Sequence, residues 1–295
     1  MRLLAIGLLL VLLLGCAQQP PPAPPAAPPQ NELPPTIVNT GEEVTEETEP
    51  TTPQPPPTPP TPPTGAQPPA IQLESREISY EASGWKIYGT LYPAVNKNNP
   101  TKVVILAHEL GKTRSSWPSS VIKRIHDEMP EAMVLAIDMR GHGKSTNLGA
   151  WNDFDVYQYR DMKFDIIEAK KYFGPSNPTV KEFYAVGASF GSSAAVLAGA
   201  QEKMVTKVAM ISPGTEYKGV EVADAVDDYL HPLFVAAAAE DEYSASSART
   251  IHGWAGEVQS DLRVYPGTSA HGTELFAETE GSGEPLASAL LEFLK

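Results

Sequence analysis

The pattern of apolar and polar positions changes at about residue 71, and beyond it short apolar runs alternate with longer amphipathic stretches. Short apolar or alternating runs bounded by Gly, Pro, Asn or Ser are typical of strands. The pattern predicts a hairpin turned at Ser83-Gly84 and a series of further strands. The predicted strands are Glu77–Glu81, Trp85–Tyr92, Val103–Ala107, Met133–Ile137, Phe183–Val186, Lys207–Ile211, Leu233–Ala239 and Leu262–Tyr265.

Between these strands, apolar residues recur at helical spacing. The predicted helices are Ser119–Glu128, Asp155–Phe173, Ser192–Gln201, Ala245–Trp254 and Pro285–Leu294. A hairpin followed by repeated strand–helix units indicates an α/β fold, with a mostly parallel sheet of about eight strands and helices on both faces. Residues 71–295 are long enough to form this as one domain with a sizeable core. Active sites in such sheets lie at the carboxyl ends of the strands.

The first residues have the pattern of an export signal. Arg2 precedes an apolar run, Leu3 to Leu14, that is too short to span a bilayer as a mature helix. The run ends in Leu13-Leu14-Gly15-Cys16, which resembles the lipobox of bacterial lipoproteins. The resemblance implies a signal peptide over residues 1–15, lipidation of Cys16, and anchoring at the outer face of the cell membrane. The alternative is an ordinary secretory signal cut near Ala17.

Residues 16–70 have a different composition from the rest of the chain. About two-thirds of the 30 prolines lie there, with Thr, Gln and an acidic patch, and large apolar residues are scarce. Such a segment buries too little surface to offset the entropy of ordering, so we predict a disordered tether. A Pro-rich recognition ligand is the other interpretation. The net charge of −14 argues against nucleic-acid binding and against basic adhesion to anionic lipid, which leaves the N-terminal lipid as the expected membrane contact.

One motif follows directly on the strand predicted at Phe183–Val186. Gly187-Ala188-Ser189-Phe190-Gly191 has the G-x-S-x-G pattern of a nucleophile elbow, a strained turn between a strand and a helix. Both glycines are required there because a Cβ at either position would collide with the neighbouring element. The pattern makes Ser189 the candidate nucleophile. The alternative interpretation is a strand followed by an ordinary Gly/Ser turn.

A second motif, Asp138-Met139-Arg140-Gly141-His142-Gly143-Lys144-Ser145, is very similar to the D-x-R-G-x-G-x-S segment of the α/β-hydrolase superfamily. With this motif and the elbow, the chain resembles the α/β-hydrolase superfamily over nearly all of residues 78–295. The resemblance is to the esterase or dienelactone-hydrolase-like branch. The resemblance implies the α/β-hydrolase fold and a serine hydrolase that needs no cofactor and no metal. In this motif it favours a structural turn over a catalytic role for His142.

The resemblance also assigns the other catalytic residues. The triad of the superfamily runs in the order nucleophile, acid, histidine, and Asp241 follows the strand Leu233–Ala239, with Glu240 as the alternative acid. His271 lies in a segment similar to the motif G-x-x-H-G and is the implied base. It would take the proton of Ser189 while Asp241 fixes its tautomer. The implied oxyanion-hole donors are the N–H groups of Phe190 and Leu110.

The resemblance also implies an oxyanion loop at residues 106–111, directly after a buried strand, and there Glu109 departs from the glycine that many relatives have. A carboxylate there would repel a developing negative charge unless it is paired or points away. A glutamate at this position is familiar in the dienelactone-hydrolase-like branch, and a plain surface glutamate is the alternative. The segment from His108 to Lys112 begins like a zinc-protease helix but lacks the second histidine, so no metal is implied.

Only about 20 residues separate Ser212 from Pro232, too few for a cap of several helices, although Val222–Tyr229 is a candidate short helix. We therefore expect an open, shallow site that suits short acyl esters or acetylated glycans. A catalytically silent binding domain, and a peptidase or thioesterase of the same fold, are the alternatives, and a monomer is expected. The expected pocket and rim residues are His108, Glu109, Trp117, Glu216, Tyr217 and the 146–154 loop.

Overall fold

The structure, a computed structural model, describes residues 73–256 and 259–295, with the side chains of Pro175 and Ser176 left aside. The predicted signal peptide (residues 1–15), Cys16 and the predicted tether (residues 16–70) lie outside the described residues. In the ranges that are described, no helix combines the length and the apolar character needed to cross a bilayer.

The described residues form a mostly parallel eight-stranded sheet, as the pattern predicted. Its strands are β1 (Arg76–Ala82), β2 (Trp85–Tyr92), β3 (Lys102–Ala107), β4 (Ala132–Asp138), β5 (Glu182–Ala188), β6 (Val205–Ile211), β9 (Leu233–Ala238) and β10 (Ser260–Tyr265). The spatial order is β1-β2-β4-β3-β5-β6-β9-β10. The pairs β1–β2 and β2–β4 are antiparallel and the others are parallel.

Helices lie on both faces of this sheet, and a two-stranded hairpin lies outside it. The hairpin is β7 (Glu216–Tyr217) and β8 (Val220–Glu221). The helices are α1 (Ser119–Glu128), α2 (Val156–Arg160), α3 (Lys163–Ile167), α4 (Ala169–Ser176), α5 (Phe190–Gln201), α6 (Ala223–Asp228), α7 (Glu242–Ala255), α8 (Leu275–Glu278) and α9 (Leu286–Leu294).

The prediction of a single helix over Asp155–Phe173 was wrong, because the chain forms three short helices there, α2, α3 and α4. The divisions coincide with tighter i→i+3 hydrogen bonds, such as the Met162 N–H to the Tyr159 carbonyl at 3.2 Å and the Lys171 N–H to the Glu168 carbonyl at 3.0 Å. Such bonds replace the regular i→i+4 ladder and re-aim the axis of a helix. The apolar spacing alone therefore predicted the helical path and not its breaks.

Two hydrophobic layers hold the helices on the sheet, and alternate residues of β3 show them. Val103 and Ile105 pack in the layer that contains residues of α2 to α7, while Val104 and Leu106 pack in the layer of α1, α8 and α9. Because successive side chains of a strand point to opposite faces, a strand covered on both faces is apolar throughout. This arrangement leaves the carboxyl ends of the strands free to carry functional loops.

A buried ion pair anchors the loop that follows β4. Both Arg140 and Asp165 are almost fully buried, and the Arg140 Nε donates to Asp165 Oδ1 at 2.8 Å. The backbone N–H of Arg140 donates to Asp165 Oδ2 at 2.7 Å, and the Tyr80 hydroxyl donates to the Asp165 carbonyl. A buried carboxylate is tolerated when it is paired and hydrogen-bonded in this way. The loop is thereby fixed to α3.

Candidate active site

Ser189 lies in the turn between β5 and α5, with a backbone φ of 52° and ψ of −120°. A positive φ is strained for a residue other than glycine and persists only where the surroundings enforce it. Here the Ser189 N–H donates to the Ile211 carbonyl at 2.8 Å. A Cβ on Gly187 would overlap the backbone of Gly191, and one on Gly191 would overlap the Ala107 carbonyl. The two glycines thus permit the close approach that the motif predicted.

His271 and Asp241 form a direct hydrogen bond at the carboxyl edge of the sheet. The distance from His271 Nδ1 to Asp241 Oδ2 is 2.6 Å, and the other carboxylate oxygen accepts the Ser244 N–H at 3.3 Å at the start of α7. The Ser244 hydroxyl lies 3.4 Å from the same His271 nitrogen. Asp241, and not the alternative Glu240, is therefore the carboxylate that meets His271.

Ser189 and His271 line the same cavity, yet no hydrogen bond joins the Ser189 hydroxyl to the imidazole within residues 73–256 and 259–295. Catalytic hydrogen bonds are often long before substrate binds and tighten in the reacting complex. The two side chains are thus brought to one cavity, without a direct hydrogen bond between them among the described residues.

Leu110 and Phe190, whose backbone N–H groups are the implied oxyanion-hole donors, both line the cavity beside Ser189. Among the residues described, neither N–H donates to another protein atom. Phe190 is the first residue of α5, where N–H groups have no partner within the helix and the helix dipole favours negative charge. N–H groups without a protein partner beside Ser189 are what a negatively charged oxygen there would need.

Glu109 is buried, with only 6% of its surface exposed, so the plain surface interpretation was wrong. Its Oε1 accepts hydrogen bonds from the Thr273 N–H and from the Thr273 hydroxyl, the latter at 2.8 Å. Its Oε2 accepts from the Ser116 hydroxyl at 3.2 Å. The carboxylate is thus paired with neutral donors and ties the oxyanion loop to the segment that follows His271.

Ser212 holds the same segment from the other side, and sequence reasoning missed it. Its hydroxyl accepts the Gly272 N–H at 2.9 Å, and the residue is only 1% exposed. Its backbone φ of 48° is a second strained position beside the elbow. In the sequence, only the position of Ser212 directly after β6 indicated a functional residue, because sites in parallel sheets form at the carboxyl ends of the strands. Ser212 and Glu109 together fix the position of His271.

The cavity above Ser189 has a volume of about 310 Å³. Tyr217 and Tyr243 stand at its rim with about half of their surface exposed, and Tyr243 is a second residue that sequence reasoning missed. The Tyr243 hydroxyl donates to the Glu216 carbonyl and so fixes the hairpin β7–β8 beside the opening. The lining residues are Glu109, Leu110, Lys112, Ser189, Phe190, Ser193, Ser212, Gly214, Tyr217, Tyr243, Ser244, His271 and Glu274.

Four of the residues or segments expected at the pocket do not line it. Trp117 is 3% exposed and packs against Phe276 in the hydrophobic layer of α1, α8 and α9. His108 is fully buried, and both ring nitrogens are hydrogen-bonded: Nδ1 donates to the Glu109 carbonyl at 2.7 Å and Nε2 accepts the Met139 N–H at 3.1 Å. Burial lowers the pKa of His108. Glu216 and the 146–154 loop also lie outside the cavity lining.

The fold is that of the α/β hydrolases, as similarity to solved structures shows. An esterase of Pyrococcus furiosus is 17% identical with a TM-score of 0.60, over 75% of this chain and 92% of that one. A dienelactone hydrolase of Anabaena variabilis is 16% identical with a TM-score of 0.55, over 75% and 96%. A carboxyl esterase of Bacillus coagulans is 14% identical with a TM-score of 0.59, over 76% and 98%. No protein-family model and no curated protein matches the sequence.

The packing of Gly272 against Glu109 generates a stability prediction. A Cβ at Gly272 would overlap the Glu109 carboxylate at a φ of 63°, whereas Gly267, with a φ of 77°, has open space around it. We expect Gly272→Ala to lower the free energy of unfolding by about 2–4 kcal/mol, because strain and overpacking add. Gly267→Ala should cost about 1 kcal/mol, because it adds the backbone strain alone. Urea unfolding of the two variants measures this, and equal losses would contradict the tight packing of the His271 loop.

Proposed function

We propose that the chain is a serine hydrolase that cleaves carboxylic esters through an acyl-enzyme on Ser189. The observation that carries the proposal is that the strained Ser189 shares one cavity with His271, which is hydrogen-bonded to Asp241. Leu110 and Phe190 line the same cavity, and their N–H groups have no protein partner among the described residues. Such a set supplies a nucleophile, a base with its orienting acid, and donors for an oxyanion.

The proposed reaction follows from these positions. Ser189 Oγ attacks the ester carbonyl and transfers its proton to His271 Nε2, while Asp241 stabilises the imidazolium through Nδ1. The carbonyl oxygen becomes an oxyanion that accepts hydrogen bonds from the two N–H groups. As the C–O bond breaks, His271 gives its proton to the leaving alcohol. Water, activated by His271, then attacks the acyl-enzyme, releases the carboxylic acid and restores Ser189.

The shape of the cavity supports small substrates. A volume of about 310 Å³ is at the lower end of the range of ligand pockets, which is about 300–1,000 Å³. The segment between β6 and β9 forms only the hairpin β7–β8 and the six-residue helix α6 over this side of the sheet. The exposed rings of Tyr217 and Tyr243 at the rim offer apolar faces to an alcohol group or a sugar ring. Short acyl esters and acetylated glycans are therefore the proposed substrate class.

A catalytically silent binding domain is the second candidate, and one observation favours it. The Ser189 hydroxyl and His271 form no hydrogen bond in the part of the chain that the structure describes. A binding domain would use the same cavity without forming an acyl-enzyme. The two candidates differ in whether a folded sample turns over an activated ester at Ser189.

We expect the protein to hydrolyse p-nitrophenyl acetate and the Ser189→Ala variant to lose this activity almost completely. Asp241→Asn should lower kcat by about 10³- to 10⁴-fold, because His271 then loses the carboxylate that orients it and stabilises its charge. Glu240→Gln is the matched control at the neighbouring carboxylate and should retain activity within about 3-fold. Release of p-nitrophenol measures all four rates. A folded wild type without turnover, or equal losses at Asp241 and Glu240, would contradict the proposal.

The cavity size predicts a dependence on the length of the acyl chain. The kcat/KM for p-nitrophenyl esters should be highest for acetate to butyrate and should fall at least about 10-fold for laurate, because a long chain leaves the cavity and gains no burial. Initial rates below the critical micelle concentration of the longer esters measure this. A preference for laurate would contradict the short-acyl substrate class while leaving the role of Ser189 intact.

We further propose that the enzyme works at the cell surface, held by lipid on Cys16, as the lipobox-like segment indicates. The protein expressed in a bacterium should partition into the membrane fraction and incorporate an alkyne-labelled fatty acid. The Cys16→Ser variant should lose the label and leave the membrane fraction. Labelling of the Cys16→Ser variant, or an unlabelled wild type, would contradict the anchor.

A further inference from the structure

The oxyanion loop contains a tight turn from Glu109 to Lys112. The Lys112 N–H donates to the Glu109 carbonyl at 3.2 Å, and Gly111, the third residue of the turn, has a φ of 76°. A positive φ at this position is typical of a type II turn and favours glycine. Such a turn sets the direction of the peptide group between Leu110 and Gly111. Its geometry therefore also affects the preceding N–H of Leu110, the implied oxyanion donor.

The N–H of Gly111 donates outward from this turn to Nε2 of His142 at 3.0 Å. An N–H can only donate to a ring nitrogen that carries no proton, so Nε2 is the bare nitrogen and Nδ1 carries the hydrogen. Nδ1 in turn donates to the Arg140 carbonyl at 3.0 Å. Burial lowers the pKa of His142 to about 4, with His108 acting in the same direction. The imidazole is thus neutral at neutral pH and remains an acceptor.

His142 is itself held in place on several sides. Its ring stacks on Trp151 with 5.3 Å between the ring centroids and 8° between the planes, and it meets the edge of His108 at 4.9 Å. The His142 N–H donates to the Met139 carbonyl at 3.0 Å, and its own carbonyl accepts the Ser145 N–H at 2.8 Å. The acceptor nitrogen has therefore little freedom to move.

The loop that carries His142 is anchored by buried charges. The Asp138 carboxylate accepts the N–H groups of Arg114 at 2.9 Å and of Lys144 at 3.0 Å. The buried pair of Arg140 and Asp165 fixes the residues between. A fixed acceptor on a fixed loop provides a reference position for the turn of the oxyanion loop, and such preorganisation is what makes donors effective in catalysis.

We propose that His142 is a positioning residue, whose Nε2 holds the Gly111 N–H and thereby aims the Leu110 N–H at the carbonyl oxygen of an ester on Ser189. His142 does not line the cavity and so acts through the turn. The inference rests on the proposed function, because it concerns the oxyanion hole of that reaction. The superfamily motif accounts for the backbone turn at His142. The hydrogen bond from the Gly111 N–H gives the His142 ring a separate role, which is to hold the turn from Glu109 to Lys112.

Three substitutions of His142 distinguish the effect of losing the hydrogen-bond acceptor Nε2 from the effect of losing the stacked ring. His142→Phe keeps a ring that stacks on Trp151 and removes the acceptor. In His142→Gln the amide oxygen lies as many bonds from Cα as Nε2 and can accept the Gly111 N–H. His142→Asn is one methylene shorter and reaches only the position of Nδ1. The Gln and Asn variants form a matched pair that decides the question even if the Phe variant does not fold, and thermal unfolding checks the fold of each.

The expected kinetic result is a loss in kcat with little change in KM. With p-nitrophenyl acetate, His142→Phe and His142→Asn should lower kcat at least about 10-fold while KM changes less than about 3-fold, because the donor acts on the transition state. His142→Gln should restore kcat to within about 3-fold of wild type. Equal kcat values for the Gln and Asn variants, or a loss confined to KM, would overturn the proposal.

Hydrogen–deuterium exchange of the full chain provides a readout that does not need activity. The Gly111 amide should exchange at least about 10-fold faster in the Phe and Asn variants than in wild type and His142→Gln, while amides of α5 keep their wild-type rates. Unchanged exchange at Gly111 would overturn the proposal. If the wild type hydrolyses no ester, the proposed function fails, and the exchange comparison alone then decides whether His142 fixes the turn.

Discussion

The close approach of helix α5 to strands β5 and β3 is the constraint on which the rest of the site depends. It requires glycine at 187 and 191, since a Cβ at either position would overlap backbone atoms. It also forces Ser189 into a positive φ, which the hydrogen bond to the Ile211 carbonyl helps to maintain. Ser189 and Phe190, the first residue of α5, both line the cavity at this turn. The proposed nucleophile and one proposed oxyanion donor thus both depend on one packing contact.

Around this fixed point, polar acceptors hold separate loops to one another. Glu109 accepts from Thr273, Ser212 accepts from Gly272, and His142 accepts from Gly111. Each bond crosses from one loop to another, so the positions of His271 and of the turn from Glu109 to Lys112 depend on side chains far away in sequence. Because these groups are buried, leaving a donor unpaired would cost more than the bond itself contributes. The site is therefore a set of loops whose geometries are coupled.

Much of this could be predicted from the sequence, and for physical reasons. Strands buried on both faces must be apolar throughout, so their positions could be predicted from apolar runs. Motifs at the strand ends predicted that His271 and Asp241 meet, and they do. Trp117 was misplaced because exposure depends on a partner, Phe276, that only tertiary packing supplies. The place of Ser212 after β6 indicated a site residue, but the acceptor roles of Ser212 and His142 could not be predicted, because each depends on a backbone N–H contributed by another loop.

The proposed hydrolase depends on one requirement, that Ser189 is an activated nucleophile. Its most direct test is reaction of the full chain with a fluorophosphonate probe, followed by digestion and mass spectrometry of the labelled peptide. We expect the wild type to be labelled on Ser189 and the Ser189→Ala variant to remain unlabelled. A folded wild type that remains unlabelled, or that carries the label on another serine, would contradict it.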